Sequence, residues 1–279
     1  MQRREGSVTV HTLLTMKDFV IQTVKAAGEV LLQHLAQGCV ARVKENHSSV
    51  VTAADYASEK LLIDALQTRF PDHGIVAEES GFRPGSSDFV WVIDPLDGTS
   101  NFAAGLPWFG VLLGLLERGK PVLGIAYLPV TDTLYVAEAG GGAFRDGLPV
   151  RISIATDLHA VLCAHAMDAS AQPGQTRREA AMMGRLINAA RNVRATNSLI
   201  DFCYTIDGRL GGAVNHATRI WDIAALTLLI REAGGRMTDL AGRDVELILD
   251  DQVCSRNYPV VGTSPILLPQ ILAALHGPD

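Results

Sequence analysis

The sequence predicts an α+β protein, because helical and strand-like patterns occupy largely separate parts of the chain. Helical periodicity dominates the beginning, an antiparallel series of strand-like segments follows, and helix and strand patterns alternate after residue 154. With 279 residues and 48% hydrophobic residues, the chain can bury a sizeable core. We expect a single domain over residues 1–279, with a soft internal boundary near residues 151–156.

Two amphipathic helices are predicted first. Apolar residues recur every three or four positions over residues 13–35, and Gly38 is a typical stop signal. The second helix is predicted from about residue 52 to residue 70, where Pro71 closes it.

Short apolar runs after the second helix predict strands. Residues 75–77 and 89–93 are bounded by turn residues and are expected to be buried strands. Residues 108–137 contain strand-like segments separated by turns at 117–121 and 129–132, which predicts an antiparallel meander. The remaining helices are predicted at residues 177–190, 220–233 and 264–275, and a surface loop at 168–174.

Composition limits the possible partners and location. The formal charge of -6 provides no basic excess, so nucleic acid is not expected as a partner. The longest apolar stretches, at residues 111–116 and 224–230, are far shorter than the roughly 20 residues that span a bilayer. Four widely spaced cysteines and the lack of an apolar leader favour a cytoplasmic protein without a membrane segment.

The most informative acidic residues follow the strand predicted at 89–93. Asp94 and Asp97 flank Pro95 and Leu96, and proline fixes one backbone angle of the turn between the carboxylates. Mg²⁺ prefers oxygen ligands, so the two carboxylates and the Leu96 carbonyl form a candidate metal site. Asp and Pro are also common in ordinary turns, which is the alternative interpretation.

A candidate phosphate site adjoins this turn. Gly98, Thr99 and Ser100 form a glycine-led turn into a predicted short helix, whose backbone amides can bind a phosphate. Metal and phosphate sites would then be neighbours.

Other carboxylates occupy comparable positions. Glu78 and Glu79 directly follow the strand at 75–77, where packing does not account for a carboxylate pair. Asp222 precedes an apolar helical run and equally fits an N-terminal helix cap.

Together these segments resemble the inositol monophosphatase family of Mg²⁺-dependent, lithium-sensitive sugar phosphatases. Residues 92–102 (VIDPLDGTSNF) match its metal motif, and residues 221–235 (WDIAALTLLIREAGG) match its C-terminal helix motif. Lys44, residues 51–55 (VTAAD) and residues 74–80 (GIVAEES) extend the resemblance. It implies a layered α-β-α-β-α sandwich of the inositol monophosphatase and fructose-1,6-bisphosphatase type, and a homodimer.

The resemblance also implies a set of metal ligands. Glu78, Asp94 and the Leu96 carbonyl would hold one Mg²⁺ ion, and Asp94, Asp97 and Asp222 would hold a second. A third and weaker ion would share the glutamate, which gives two or three ions in total.

Catalytic and phosphate-binding roles follow from the same resemblance. Thr99 and Asp55 would form a hydrogen-bonded pair that orients the attacking water near Glu78. The backbone amides of Gly98 and Thr99 would bind the phosphate, with Lys44 nearby.

The substrate is the least determined feature. Asn215 stands where inositol-specific members carry a glutamate that contacts ring hydroxyls, and His216 after it is a further candidate contact. Asn197 and Ser198 occupy roughly the position of another substrate contact.

We therefore expect a Mg²⁺-dependent phosphomonoesterase for a small polyol or sugar phosphate, with inositol monophosphate as the first candidate. Fructose-1,6-bisphosphatase, histidinol-phosphate phosphatase and 3'-phosphoadenosine 5'-phosphate phosphatase activities are the alternatives. Some bacterial members of this family also bind the transcription machinery, which is the alternative from another class.

Overall fold

The computed structural model describes residues 10–38, 41–43, 50–170 and 172–277 of the protein. The α-helices within these residues are α1 (Val10–Gln37), α2 (Ala53–Arg69), α3 (Thr99–Ala103), α4 (Gln175–Ala189), α5 (Leu199–Ile206), α6 (Ile220–Glu232) and α7 (Leu268–His276). The strands are β1 (Arg42–Val43), β2 (Val50–Val51), β3 (Gly74–Ala77), β4 (Gly81–Arg83), β5 (Phe89–Asp97), β6 (Gly110–Glu117), β7 (Lys120–Leu128), β8 (Thr133–Glu138), β9 (Gly142–Arg145), β10 (Leu148–Val150), β11 (Leu162–Ala166), β12 (Asn192–Arg194), β13 (Gly212–Asn215), β14 (Arg236–Thr238) and β15 (Val260–Thr263).

The larger sheet has eight strands in the order β10-β9-β8-β7-β6-β5-β3-β4. Strands β3 and β5 are parallel, and all other neighbours are antiparallel. The antiparallel meander predicted over residues 108–137 is confirmed as β6, β7 and β8. Strands β1 and β2 form a separate antiparallel pair.

The smaller sheet has five strands in the order β12-β11-β13-β15-β14, of which β11 is parallel to both β12 and β13. Helices α5 and α6 pack between the two sheets, α1 and α2 cover the outer face of the larger sheet, and α4 and α7 cover that of the smaller sheet. The predicted α-β-α-β-α layering is confirmed. Residues 151–157 join the two sheets, and the soft boundary near residues 151–156 stays a prediction.

Alternation along β5 determines which face carries the motif. Trp91 and Ile93 belong to the apolar cluster formed with α1 and α2, whereas Val92 belongs to the cluster formed with α5 and α6. Successive side chains of a strand point to opposite faces. Asp94 therefore lies on the face of Val92, towards α6.

Small residues let α6 approach the larger sheet closely. A methyl group added to Gly124 of β7 would lie 2.6 Å from the carbonyl oxygen of Ala225, and one added to Gly114 of β6 would lie 3.2 Å from the Cβ of Ala224. The contact at Gly124 is too close for any side chain without a shift of the backbone, and the contact at Gly114 is tighter than most contacts of a Cβ atom. The glycines thus bring the first turn of α6, with Asp222, close to the end of β5.

One helix was not predicted, and two boundaries differ clearly from the sequence prediction. The missed helix is α5, a run of only eight residues of which seven are buried, and so short an apolar run cannot be told from a strand by its periodicity. Helix α7 begins at Leu268 instead of residue 264, since Pro269 is favoured in the first turn of a helix. Strand β5 continues to Asp97, beyond the predicted end at residue 93. No helix within the described residues is long and apolar enough to cross a membrane.

Candidate active site

Three aspartates from β5 and α6 converge at one end of the larger sheet. Asp94 and Asp97 lie within β5 rather than after it, and the pairing of β5 with β6 is irregular between them. Pro95 lies in this interval and has no N–H to donate to the ladder. Asp222 lies in the first turn of α6, and one carboxylate oxygen from each aspartate lies within 4.8 Å of the others.

Backbone amides hold each of these carboxylates. The donors are the amide of Leu96 for Asp94 Oδ1 (3.0 Å), the amide of Leu199 for Asp97 Oδ1 (2.5 Å) and the amide of Arg219 for Asp222 Oδ2 (2.5 Å). Arg219 immediately precedes α6, so Asp222 also has the helix-capping role that the sequence allowed. Capping and convergence are compatible, because the cap uses one carboxylate oxygen.

The cluster is electrostatically unfavourable without a cation. Burial raises the pKa of Asp94 well above its usual value, and the charges of Glu78, Asp97 and Asp222 raise it further. Burial and the charge of Asp222 likewise raise the pKa of Asp97. Burial raises the pKa of Asp222 to about 6. A divalent cation would relieve this repulsion, and within the described residues no other group of three such side chains has suitable geometry for a metal.

Glu78 and Leu96 complete the predicted ligand set around the same cleft. Glu78 follows β3 and lines the cleft together with Asp94 and Asp97. The Leu96 side chain is fully buried, while its carbonyl oxygen accepts a hydrogen bond from Thr99 Oγ1 at 2.9 Å.

The neighbouring Glu79 faces a different environment. Its backbone N–H donates to the carboxylate of Glu59 at 2.8 Å. Glu59 is a buried acid of α2 that the sequence analysis missed. This contact ties the end of β3 to α2 beside the acidic cluster.

Thr99 and Asp55 are hydrogen-bonded, as the sequence resemblance implied. Thr99 Oγ1 lies 3.1 Å from Asp55 Oδ1, although the two residues are 44 positions apart. The other oxygen of Asp55 accepts from the backbone N–H and the hydroxyl of Thr52, both at 2.7 Å. Burial raises the pKa of Asp55, and the hydrogen bonds from Thr52 oppose that increase. The catalytic role of the pair stays a prediction.

Gly98 is required by the backbone at the start of α3. Its φ is +89°, a conformation that costs little only for glycine, and an added methyl would lie 2.5 Å from the Trp108 carbonyl oxygen. Phosphate binding by the amides of Gly98 and Thr99 stays a prediction.

The cleft has a volume of about 780 Å³ and is also lined by the predicted substrate residues Ser198 and Asn215. Ser198 caps α5 by accepting from the Ile200 N–H at 3.3 Å. Asn215 ends β13, and its side-chain oxygen accepts from the Ala217 N–H at 3.0 Å. The predicted Lys44 lies outside the described residues.

His216, the further candidate for a substrate contact, does not line the cleft. His216 is 5% exposed and is absent from the lining of the cleft. Its Nε2 lies 3.0 Å from Nε2 of His165, which is fully buried. It follows Asn215 at the end of β13, and successive residues of a strand face opposite sides.

The sequence analysis missed the residues that organise the wall of the cleft at 196–198. Asn101 Nδ2 donates to the carbonyl oxygens of Thr196 at 2.7 Å and Trp108 at 2.9 Å. Asp201, whose pKa burial raises to about 6, accepts from the Thr196 N–H at 3.2 Å. Asn101 belongs to the metal-motif segment and could have been noticed there, whereas its partner lies 95 positions away.

The chain belongs to the Inositol monophosphatase family, whose profile matches residues 13–277. It is 34% identical over 230 residues to the Nus factor SuhB of Escherichia coli K12, covering 81% of this chain and 86% of that protein.

Solved structures share the fold. The extragenic suppressor protein SuhB of Bartonella henselae has a TM-score of 0.85 at 28% identity and covers 95% of this chain and 100% of its own. An IMPase of Thermotoga maritima has a TM-score of 0.83 at 27% identity and covers 94% of this chain and 96% of its own.

Proposed function

We propose that this protein is a Mg²⁺-dependent phosphomonoesterase that hydrolyses a small polyol or sugar phosphate, with inositol monophosphate as the first candidate substrate. The observation that carries the proposal is the convergence of Asp94, Asp97 and Asp222 in a cleft beside the Thr99–Asp55 pair. Membership of the inositol monophosphatase family supports the same reaction.

The acidic cluster fits two or three Mg²⁺ ions chemically. Its groups are hard oxygen donors: Glu78, Asp94, the Leu96 carbonyl, Asp97 and Asp222. We assign one ion to the first three of these groups and a second to the three aspartates, with Asp94 shared. Bound Mg²⁺ would lower the pKa of water and neutralise phosphate oxygens.

The protein's own contribution to catalysis is to orient the attacking water. The Thr99 hydroxyl has one hydrogen, which it donates to either Asp55 or the Leu96 carbonyl. Its lone pairs can then accept a hydrogen bond from water, which fixes the direction of attack. Asp55 is held rigidly by Thr52 and, with a raised pKa, is a better proton acceptor than an exposed aspartate.

Substrate contacts are proposed for other groups that line the cleft or lie near it. The amides of Gly98 and Thr99 would bind the phosphate with Lys44 nearby, while Ser198 and Asn215 would contact the alcohol part. Asn215 has no carboxylate for ring hydroxyls, so the bisphosphatase, histidinol-phosphate phosphatase and nucleotide phosphatase alternatives remain in the substrate panel.

The test is phosphate release from inositol 1-phosphate, fructose 1,6-bisphosphate, histidinol phosphate and 3'-phosphoadenosine 5'-phosphate, each with Mg²⁺ and with EDTA. Asp97→Asn should lower the Mg²⁺-dependent rate by about 100-fold or more, since it removes a charge that the cations require. Asp64→Asn is the matched control, because Asp64 lies on the exposed side of α2. The proposal fails if no ester shows Mg²⁺-dependent hydrolysis or if Asp97→Asn keeps full activity.

A second candidate function is association with the transcription machinery. It is favoured by one observation, the name Nus factor SuhB carried by relatives that are 34% identical. Purified protein immobilised on beads should then retain RNA polymerase from a bacterial extract, and Asp97→Asn should retain it equally well. If the beads retained no RNA polymerase while the same protein hydrolysed phosphate esters, this candidate would be rejected.

We also propose that the protein is a cytoplasmic homodimer and that its hydrolytic activity requires no nucleic acid. The family resemblance supports the dimer, and the formal charge of -6 supports independence from nucleic acid. Light scattering after size exclusion should give about twice the chain mass of 29.9 kDa. A monomer mass would reject the dimer.

A further inference from the structure

An additional carboxylate reaches the cleft from the smaller sheet. Asp168 follows β11 by two residues, and Asn215 is the last residue of the parallel neighbour β13. Ala166 is paired with Asn215 in the register of these parallel strands, so β11 and β13 finish at the same end of the sheet. Asp168 and Asn215 both line the cleft that contains the acidic cluster.

Asn197 holds Asp168 in this position. Its φ is +50°, in the left-handed region that residues other than glycine adopt rarely. Its side-chain amide donates to the Met167 carbonyl oxygen at 2.7 Å and to Asp168 Oδ1 at 3.2 Å, while its side-chain oxygen accepts from the Met167 N–H at 3.4 Å. One side chain therefore binds both backbone groups of Met167 and the carboxylate that follows.

The chemistry of the cleft distinguishes Asp168 from its other acids. The remaining carboxylates, those of Glu78, Asp94, Asp97 and Asp222, form the proposed metal cluster. Arg219 is the cationic side chain among the described lining residues, and its charge acts on Asp222, three positions further along the chain. Asp168 is thus an acid of the cleft without an assigned role in metal binding.

A carboxylate in this position recognises hydrogen-bond donors. An ionised aspartate only accepts hydrogen bonds, so its favourable partners in a ligand are hydroxyl and ammonium groups. A second phosphate or a carboxylate on the ligand would be repelled by the same charge. The amide of Asn215 on the adjacent strand does not provide this discrimination.

We propose that Asp168 is a specificity-determining residue that selects phosphate esters whose alcohol part carries hydroxyl or ammonium groups, and that Asn197 is its positioning residue. This inference rests on the proposed phosphomonoesterase function and narrows its substrate class. It disfavours a bisphosphate as the preferred substrate.

The experiment compares kcat and KM for four esters at saturating Mg²⁺: inositol 1-phosphate, phosphoethanolamine, fructose 1,6-bisphosphate and p-nitrophenyl phosphate. The last has no donor on its leaving group and serves as the reference ester. Asp168→Asn should lower the kcat/KM of the first two, relative to the reference ester, by about 10-fold, mainly through KM, because the asparagine oxygen still accepts a hydrogen bond but no longer carries the charge that strengthens it. The relative kcat/KM of the bisphosphate should rise.

Asn197→Gly tests the positioning role, because glycine keeps the left-handed backbone while removing the side-chain hydrogen bonds. It should shift the ester preference in the same direction as Asp168→Asn, and Asp168→Glu should retain part of the wild-type preference. A merely structural role would lower the rates of all four esters together.

The outcomes separate the two proposals. If wild type hydrolyses the panel but Asp168→Asn changes all four kcat/KM values equally or none of them, the selectivity inference is overturned and the phosphatase proposal stands. If wild type hydrolyses none of the four esters, both are overturned.

Discussion

Replacing Asp97 by Asn should stabilise the metal-free protein and weaken its stabilisation by Mg²⁺. Three carboxylate oxygens lie within 4.8 Å of one another. At this separation and an effective dielectric constant of ~20, each fully ionised pair would repel by about 3.5 kcal/mol. The substitution removes two of the three pairs and keeps a side-chain oxygen that can accept from the Leu199 N–H.

The expected gain is smaller than the full repulsion, because the raised pKa values of Asp94 and Asp97 allow a bound proton to relieve part of it. We expect metal-free Asp97→Asn to be about 1–3 kcal/mol more stable than metal-free wild type, or roughly 2–5 °C in Tm. With Mg²⁺ at 100 times its Kd, wild type should gain about 2.7 kcal/mol and the variant much less. The difference in stability between wild type and the variant should then become smaller or change sign.

The assay is thermal unfolding in EDTA and across a MgCl₂ titration, with Asp64→Asn as control. Asp64 pairs with Lys60 on the exposed surface of α2, so its loss should change neither the metal-free Tm beyond about 1 °C nor the Mg²⁺ response. An equal Mg²⁺-induced Tm rise in wild type and Asp97→Asn would refute the reasoning. So would a metal-free variant less stable than metal-free wild type.

Three further predictions concern the remainder of the site and its support. Gly98→Ala should lower kcat/KM by about 10-fold or more, because alanine is strained at φ +89° and its methyl would contact Trp108; steady-state kinetics on a correctly folded variant checks this. Thr99→Val should lower kcat by about 100-fold while Thr99→Ser keeps most of the rate, and equal loss in both would reject the hydroxyl's role. Burial lowers the pKa of His165 from 6.5 to about 4, so the unfolded chain binds a proton at this histidine at a higher pH than the folded protein does. The free energy of unfolding is therefore unaffected by His165 above about pH 6.5 and decreases by about 3 kcal/mol as the pH falls to 4. Between pH 7 and pH 4.5, the free energy of unfolding measured in urea should therefore fall less for His165→Gln than for wild type. An equal fall in the two proteins would contradict this prediction.

Local patterns were sufficient to predict much of the fold, and they marked the Asp94–Asp97 turn as a candidate metal site, whereas the full ligand set came from the resemblance to the inositol monophosphatase family. The periodicity that predicted the first helices produces α1 and α2, and the apolar run before Asp94 produces β5. These elements are readable because each buries one regular face or one continuous run. The buried α5 is only eight residues long, and a run of that length is equally compatible with a buried strand; it packs between the two sheets.

The wall of the cleft was not predictable for a related reason. Asn101 and Asn197 bind backbone groups that are distant in sequence, and Asp168 accepts from the side chain of Asn197. A polar residue in a loop or a short helix has no periodicity to reveal such a partner. His216 shows the converse error: its nearness in sequence to Asn215 suggested a shared site, but neighbouring residues at a strand end face opposite sides.

The distances between the carboxylates of the acidic cluster depend on how closely α6 packs against the larger sheet. Asp94 belongs to β5 and Asp222 to α6, so the distance between their carboxylates depends on the spacing of these two layers. That spacing is set by Gly114 and Gly124 against Ala224 and Ala225, two to three residues after Asp222. The helix motif therefore contributes both the carboxylate and the small side chains that let the helix pack close to the strand. A larger residue at Gly124 would separate the layers and open the cluster without changing any carboxylate, which explains why the acidic residues alone do not define the site.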